Sequence, residues 1–249
     1  MTRTVTACLV IIGNEILSGR TQDKNVAHIA VKLNAAGVRL MEVRVIPDVE
    51  ATIVATVNEV RQKFSYVFTT GGIGPTHDDI TSLSIARAFG VALHRHPAAE
   101  AALRAHYGDS GKLNEARLKM ADVPTGASLI TNPLSAAPGF RIENLFVMAG
   151  VPAIMQAMLE IILPQLEGAT PYLSTNLTTD LPEGTIAEGL SAIQQRYSDV
   201  EIGSYPHFKH GELSTTLVFH SPDHARNEAA ATETRALIER HGGKIIASA

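Results

Sequence analysis

The first 90 residues alternate short apolar runs with amphipathic segments, and this alternation restricts the fold more than any other feature. The runs Val5 to Ile12, Arg39 to Ile46 and Tyr66 to Thr70 have the length and composition of buried strands. Helical spacing of apolar residues occurs between them, around Ile29 and from Val49 to Phe64. Strands that alternate with helices across short loops predict a doubly wound α/β domain with a mostly parallel sheet and right-handed crossovers.

Polar loops follow all three predicted strands. They contain Asn14 and Glu15 after the first strand, Asp48 after the second, and a glycine-rich segment after the third. Ligands of parallel sheets bind beyond the carboxyl ends of the strands, so these loops are expected to converge on one ligand.

The third loop, Gly71-Gly72-Ile73-Gly74-Pro75-Thr76-His77-Asp78-Asp79, joins glycines to two carboxylates before a helical pattern that starts at Asp79. Glycines there let backbone N–H groups face a phosphate. The adjacent carboxylates would repel a bare phosphate, which favours either a divalent metal ion between them or a ligand with N–H donors of its own. The spacing fits neither the Walker A loop nor the dinucleotide fingerprint. The alternative is structural: a tight turn, with Asp78 or Asp79 capping the helix and Asp48 capping the helix before it.

Composition excludes several classes of protein. A net charge of −4 and no block of Lys or Arg argue against nucleic acid as the main partner. No apolar run reaches transmembrane length, and the first run lacks a cleavage site, so we expect a cytoplasmic protein with no membrane partner. The single cysteine, Cys8, lies within an apolar run and is expected to be buried.

The rest of the chain divides near Gly168. Before it lie further helices and short strands, including Gly139 to Ile142 and a helix opened by Gly150-Val151-Pro152. After it the pattern restarts as β-α-β-β-α-β, typical of a ferredoxin-like α/β sandwich. The sequence therefore predicts two domains, residues 1–168 and 169–249.

Several motifs in chain order closely resemble the amino-terminal part of the CinA (competence/damage-inducible protein A) family. They are Gly13-Asn14-Glu15-Ile16-Leu17-Ser18-Gly19, the glycine loop through Thr81, Ala137-Pro138-Gly139-Phe140 and Gly150-Val151-Pro152. The resemblance covers essentially the whole chain, but the deamidase domain of full-length CinA has no counterpart here, so that activity is not expected.

The first domain also resembles the molybdopterin-binding fold of MogA and MoaB, in which a similar loop holds a pterin and its phosphate for adenylylation. By this resemblance, Asp48 and Asp79 correspond to acidic positions associated with molybdopterin or magnesium and are the catalytic candidates. Asp79 and Asp78 are the metal-ligand candidates. The ligand-binding candidates are Gly71, Gly72, Gly74, Pro75, Thr76, Asn14, Glu15, Gly139 and Gly150.

Some CinA-type domains are associated with metal-dependent hydrolysis of ADP-ribose to AMP and ribose 5-phosphate, which the resemblance makes a second expected function. Binding of a phosphorylated pterin or adenine nucleotide is the leading one, and a non-catalytic nucleotide sensor or scaffold is the third. The resemblance also implies a homo-oligomer, a dimer by analogy with CinA or a trimer by analogy with MogA.

Two segments bear on these expectations. The family commonly has Gly and Thr where this chain has Ser135 and Ala136, so the loop from Asn132 is expected to bind differently or not at all. The segment Lys112 to Met120 is expected to be either a solvated helix or a source of side chains, Asn114, Arg117 and Lys119, that reach an anionic ligand, although Arg117 and Lys119 cannot both face one way.

Overall fold

The protein is described by a computed structural model covering residues 4–108, 110–209 and 212–248. The chain divides into two compact units between Ala169 and Thr170. Each unit has its own main sheet and its own hydrophobic clusters.

The first unit is built on a six-stranded sheet with the strand order β2-β1-β3-β8-β7-β6. The first four strands in that order are parallel, and β7 and β6 continue the sheet in antiparallel fashion. The strands are β1 (Val5–Ile12), β2 (Val38–Ile46), β3 (Tyr66–Thr70), β6 (Ser128–Ile130), β7 (Gly139–Ile142) and β8 (Leu145–Met148). A separate two-stranded sheet pairs β4 (Leu93–Arg95) with β5 (Asp122–Pro124).

Helices cover both faces of the large sheet, because alternate side chains of its buried strands point to opposite faces. Cys8, Val10 and Ile12 of β1 pack into one core, whereas Leu9 and Ile11 pack into the other. The helices of this unit are α1 (Asn14–Leu17), α2 (Asn25–Ala35), α3 (Glu50–Lys63), α4 (Thr81–Ala88), α5 (Pro97–Tyr107), α6 (Glu115–Leu118) and α7 (Pro152–Ile162), with a 3-10 turn at Lys119–Ala121. Helices α3 and α4 supply the first core, and α2 and α7 supply the second.

This arrangement confirms the predicted doubly wound α/β fold. One predicted boundary is wrong: α4 begins at Thr81, after Ile80 as its N-cap, and not at Asp79. The Asp79 side chain is bonded within the preceding loop, which keeps Asp79 outside the helix.

The second unit is a β-α-β-β-α-β sandwich, as predicted. Its antiparallel sheet has the order β10-β11-β9-β12, with two helices packed on one face. The elements are β9 (Leu173–Thr179), α8 (Glu183–Arg196), β10 (Glu201–Lys209), β11 (Glu212–Ser221), α9 (His224–Arg240) and β12 (Ile245–Ser248). Within the described residues, no helix is long and apolar enough to cross a membrane.

Candidate functional site

A cavity of about 510 Å³ lies at the carboxyl ends of the parallel strands β3 and β8, within the first unit. Its volume falls in the range of small-molecule sites, roughly 300–1,000 Å³. The residues around it come from loops that are far apart in sequence: Glu15, Thr21, Gly71, Gly72, Ile73, Gly74, Pro75, Asp79, Met120, Asn132, Ser135, Ala137, Ala149, Gly150, Val151, Pro152 and Ile154.

The glycine loop leaves β3 through two residues that require glycine. Gly71 has φ +100°, and a Cβ there would overlap the carbonyl oxygen of Ile12 on β1. Gly72 has φ +67°, and a Cβ there would overlap Oγ1 of Thr81. That hydroxyl donates to the carbonyl of Gly71 over 3.0 Å, so the first turn of α4 is tied directly to the end of β3.

Three consecutive backbone N–H groups of this loop, those of Gly72, Ile73 and Gly74, have no acceptor among the described residues. The flanking amides are paired: Gly71 N donates to Met148 O over 3.2 Å, and Thr81 N donates to Gly72 O over 3.0 Å. These residues are half-buried, so their unpaired main-chain donors can bond to water or to a bound anion. The unpaired run coincides with residues that line the cavity.

Asp79 holds the second half of the glycine loop through hydrogen bonds with Thr76. Its Oδ2 accepts from Thr76 N over 2.8 Å and from Thr76 Oγ1 over 2.5 Å. Asp78 Oδ1 lies 2.6 Å from the same hydroxyl, and this contact holds the pKa of Asp78 below its usual range. Neither carboxylate caps α4, whose first turn has no side-chain cap, so the capping alternative is wrong for this helix.

Lys119 contacts the backbone of the glycine loop. Its Nζ donates to the carbonyl oxygens of Thr76 and Asp79, each over 2.8 Å. Lys119 therefore reaches the predicted site, but by holding the backbone of the loop. Arg117 instead packs over the ring of Tyr107, 5.1 Å from its centroid.

The loop after β1 contributes Glu15, whose half-buried carboxylate folds over Gly13 and lines the cavity. Asn14 and Asp48 do not line the cavity. Asp48 Oδ2 accepts from the backbone N–H of Asn14 over 2.8 Å and makes no cap on α3, so it joins the loops after β1 and β2.

A second loop meets the glycine loop at the end of β8. A Cβ on Gly150 would lie 3.2 Å from Cα of Gly71, so the two backbones pass in close approach. Below them the buried Asn25 donates from Nδ2 to Gly150 O over 2.9 Å. Val151 is the N-cap of α7, and Pro152 opens that helix with its N-terminus at the cavity.

The loop from Asn132 to Ala137 forms another wall of the cavity. Asn132 is buried and organises the loop: its Nδ2 donates to Ser135 Oγ and Ala137 O, and its Oδ1 accepts from the amides of Leu134 and Ser135. Ala136 has φ +59°, a left-handed conformation that costs a residue with a Cβ about 1 kcal/mol.

The structure brings together seven of the predicted residues and leaves five outside the cavity lining. Glu15, Gly71, Gly72, Gly74, Pro75, Asp79 and Gly150 line it; Asn14, Asp48, Thr76, Asp78 and Gly139 do not. Gly139 lies within β7, where a Cβ would overlap the carbonyl oxygen of Val147, so its glycine is required by sheet packing. The exposed His77 also lies outside the lining.

Sequence reasoning missed several lining residues, chiefly Thr21 and Met120; it considered the loop that contains Asn132 and Ser135 but did not name either residue as a site candidate, and both line the cavity. In the part of the chain that the structure describes, no group of three or more His, Cys, Asp or Glu side chains could hold a metal ion. Any metal here would rest on the two lining carboxylates, Glu15 and Asp79, and on its ligand.

Comparison with protein families finds a match at each unit. Residues 8–168 match the family described as "Probable molybdopterin binding domain", and residues 171–243 match the "FAD synthase, middle domain". The two matches meet where the chain divides into its compact units.

Individual relatives agree with the first match. The chain is 30% identical over 252 residues to a CinA-like protein of Desulfosudis oleivorans, covering 96% of this chain and 60% of that protein. It is 31% identical over 261 residues to a probable FAD synthase of Caenorhabditis elegans, covering 95% of this chain and half of that protein.

Among solved structures, the protein CinA with unknown function from Thermoplasma acidophilum is 32% identical. The similarity, with a TM-score of 0.60, covers 64% of this chain and 98% of that one. The motifs, the fold and these matches agree: the chain belongs to the CinA-type, MogA-like family that carries the probable molybdopterin-binding domain.

Proposed function

We propose that this protein binds a phosphorylated pterin or an adenine nucleotide in the cavity between the glycine loop and the start of α7. The observation that carries the proposal is the run of unpaired backbone N–H groups at Gly72, Ile73 and Gly74 in the cavity lining. Phosphate oxygens would satisfy these donors, and the N-terminus of α7 adds a favourable partial charge nearby.

The other residues that line the cavity restrict the chemical class of the ligand. Among the described residues, the lining contains the carboxylates of Glu15 and Asp79 and no Lys or Arg side chain. A carboxylate accepts N–H donors from the edge of a pterin or adenine ring, or it binds a hard divalent cation that accompanies a diphosphate. Met120, Val151, Pro152 and Ile154 give the apolar wall that a flat ring system needs.

The relatives support an adenine nucleotide as the ligand. One carries the name probable FAD synthase, and FAD is itself a diphosphate ester of adenosine. A phosphorylated pterin or an adenine nucleotide belongs to the cell interior, so the proposal includes a cytoplasmic location.

A metal-dependent ADP-ribose pyrophosphatase is the second candidate, favoured by the two carboxylates on one cavity. In this reaction water attacks one phosphorus and the bridging P–O bond breaks, which gives AMP and ribose 5-phosphate. Two carboxylate oxygens suit Mg²⁺, which is commonly bound by one or two carboxylates together with substrate phosphates. Bound there, the metal would neutralise the diphosphate and acidify the attacking water. The chain itself would hold the phosphates through its loop amides.

One set of variants tests both candidates. Asp79→Asn keeps an acceptor for Thr76 but removes the charge, so the loop should stay folded. We expect wild type to bind AMP, ADP-ribose or a pterin phosphate in calorimetry, and Asp79→Asn to bind at least about tenfold more weakly, the loss of a hydrogen bond to a charged group. Glu143→Gln, an equal charge change on the turn between β7 and β8, should bind as wild type does.

AMP release from ADP-ribose, measured across a panel of divalent ions, separates the candidates. Release that needs a metal and is lost in Asp79→Asn would establish the pyrophosphatase. Binding that survives chelation, without turnover, would leave the ligand-binding function alone. Absence of binding to all three compounds would contradict the proposal and favour a non-catalytic scaffold.

A further inference from the structure

The side chain of Ser135 lines the cavity, and a hydrogen bond within its own loop restricts what it offers a ligand. Ser135 is half-buried, and its Oγ lies 2.6 Å from Nδ2 of the buried Asn132. A hydroxyl group has one hydrogen to donate and two lone pairs that accept. Which of these Asn132 occupies depends on the orientation of its side-chain amide.

The orientation of the Asn132 amide follows from the backbone groups around it. One end of the amide lies 3.0 and 3.3 Å from the N–H groups of Leu134 and Ser135, so this end is the oxygen Oδ1. The other end lies 2.9 Å from the carbonyl oxygen of Ala137, which only an N–H group can satisfy. A flipped amide would set oxygen against oxygen at one end and N–H groups against N–H groups at the other. Asn132 therefore donates the hydrogen bond to Ser135.

This assignment leaves the Ser135 hydroxyl with its hydrogen free to donate. The amide nitrogen of Asn132 uses both of its hydrogens, one on Ser135 Oγ and one on Ala137 O. In the described residues, Ser135 Oγ has no acceptor for its own hydrogen. A buried side chain thus holds the hydroxyl oxygen in place, while the hydroxyl hydrogen is available to a ligand.

The other polar side chains of the lining offer different chemistry. Glu15 and Asp79 present carboxylates, which only accept hydrogen bonds when they are ionised. Thr21 is exposed, so its hydroxyl rotates to donate or to accept. Within the described part of the chain, Ser135 is therefore the lining side chain that offers a donor already held in place, and a donor held in this way loses little freedom when a ligand binds.

The position of this hydroxyl relates it to the apolar part of the cavity. Ala136 and Ala137, which follow Ser135, pack on a small hydrophobic cluster that also includes Met120. Met120 belongs to the apolar wall that suits a flat ring, whereas the unpaired amides that suit a phosphate belong to the glycine loop. Ser135 therefore lies on the side of the cavity that suits the ring of the ligand.

We propose that the Ser135 hydroxyl donates a hydrogen bond to a ring nitrogen of the bound ligand and so selects rings that carry such an acceptor. Adenine and oxidised pterins both have unprotonated nitrogens at the ring edge, and a ring nitrogen is the acceptor that the two candidate ligands share. This inference rests on the proposed function, because it requires a heterocyclic ligand in this cavity.

Calorimetry of the full chain with deaza analogues tests this contact. In each analogue one acceptor nitrogen of the ring is replaced by C–H, and one series covers AMP while the other covers an oxidised pterin phosphate. At least one analogue should bind wild type roughly three- to tenfold more weakly than its parent compound, the effect of losing a neutral hydrogen bond. Ser135→Ala should bind the parent compound more weakly by a similar factor and should no longer distinguish it from that analogue. The series in which this occurs identifies the ring.

The comparison separates ligand recognition from a structural role of Ser135. Both ligands are measured on the same variant, so any change in the loop that follows from the lost contact with Asn132 weakens both equally. The control is Ser191→Ala on α8, which removes an exposed hydroxyl bonded to Ala187 O over 3.0 Å and should keep the wild-type preference.

Two negative results have different meanings. Equal affinity of wild type for each parent compound and all its analogues, or a preference that survives in Ser135→Ala, would overturn this inference and leave the proposed function intact. A wild type that binds neither an adenine nucleotide nor a pterin phosphate would contradict the proposed function itself, and this inference with it.

Discussion

Gly71 and Gly74 belong to one loop but are glycine for different physical reasons. At Gly71 a side chain would meet the rigid backbone of β1 and would need φ +100°, which other residues avoid. At Gly74 the backbone is ordinary, and a Cβ would lie 2.6 Å from Oδ2 of Asp79, the end of a side chain that can move. The first glycine is needed for the fold and the second for the position of the carboxylate.

Alanine variants should separate these two roles. We expect Gly71→Ala to lower the free energy of unfolding by about 1–3 kcal/mol, the usual cost of forcing an unfavourable backbone conformation. Gly74→Ala should unfold close to wild type in urea yet bind adenine nucleotide more weakly, because Asp79 is displaced. Equal stability of the two variants would contradict this account.

Not all of this residue-level detail was predictable. The sequence motif identified Gly71, Gly72, Gly74 and Asp79, because glycine turns and carboxylates have local signatures. The sequence indicates Lys119 as a candidate to reach an anionic ligand, but not that its Nζ binds the carbonyl oxygens of Thr76 and Asp79, which are distant in sequence. No local pattern indicates that the Asn132 side chain hydrogen-bonds within its own loop. At Gly139 the prediction of a ligand contact is wrong, since this glycine is required by sheet packing and does not line the cavity.

At the scale of elements, β2 and α3 are joined by an ion network on one face of the sheet. Arg44 contacts Glu42 and Glu59, each at 2.5 Å, and Lys63 Nζ lies 2.8 Å from Glu42. The hydrogen bonds from Lys63 and Arg44 lower the pKa of Glu42, and the bond from Arg44 lowers that of Glu59, each below an ordinary value of 4.5. The network therefore keeps both carboxylates ionised to a lower pH than an unpaired glutamate would be.

This network makes stability depend on pH in a definite direction. A carboxyl group whose folded pKa is lowered stabilises the fold above its unfolded pKa, and the contribution is lost as pH falls through the lowered value. The loss should begin near pH 4.5 and grow below it. We expect Glu59→Gln to reduce the fall in urea midpoint between pH 5 and pH 3, relative to wild type and to Glu188→Gln on α8; an unchanged slope would show that the network adds nothing.

Element order and type were largely predictable, since apolar periodicity and glycine or proline punctuation mark most strands and helices. The start of α4 was not, because Asp79 bonds to Thr76 in place of capping the helix. A strand around His94 is predicted from the sequence and is present as β4, but its partner β5 is not predicted, because three residues are too few for a periodic signal.

At the scale of the whole molecule, the candidate site exists only because loops distant in the chain meet at one end of the sheet. Asn25 holds Gly150, Gly150 packs on Gly71, and Lys119 holds Asp79. The parallel strand order brings the ends of β3 and β8 together, and their loops define the cavity. The central claim is that the unpaired amides of this cavity bind phosphate.

The most direct test is an amide NMR titration of the deuterated full chain with ADP-ribose and with a pterin phosphate. The account predicts that the amide resonances of Gly72, Ile73 and Gly74 shift first and furthest with at least one of these ligands, and that Glu143→Gln leaves the pattern unchanged. Shifts confined to the second unit, or no shift at these three amides with either ligand, would contradict it.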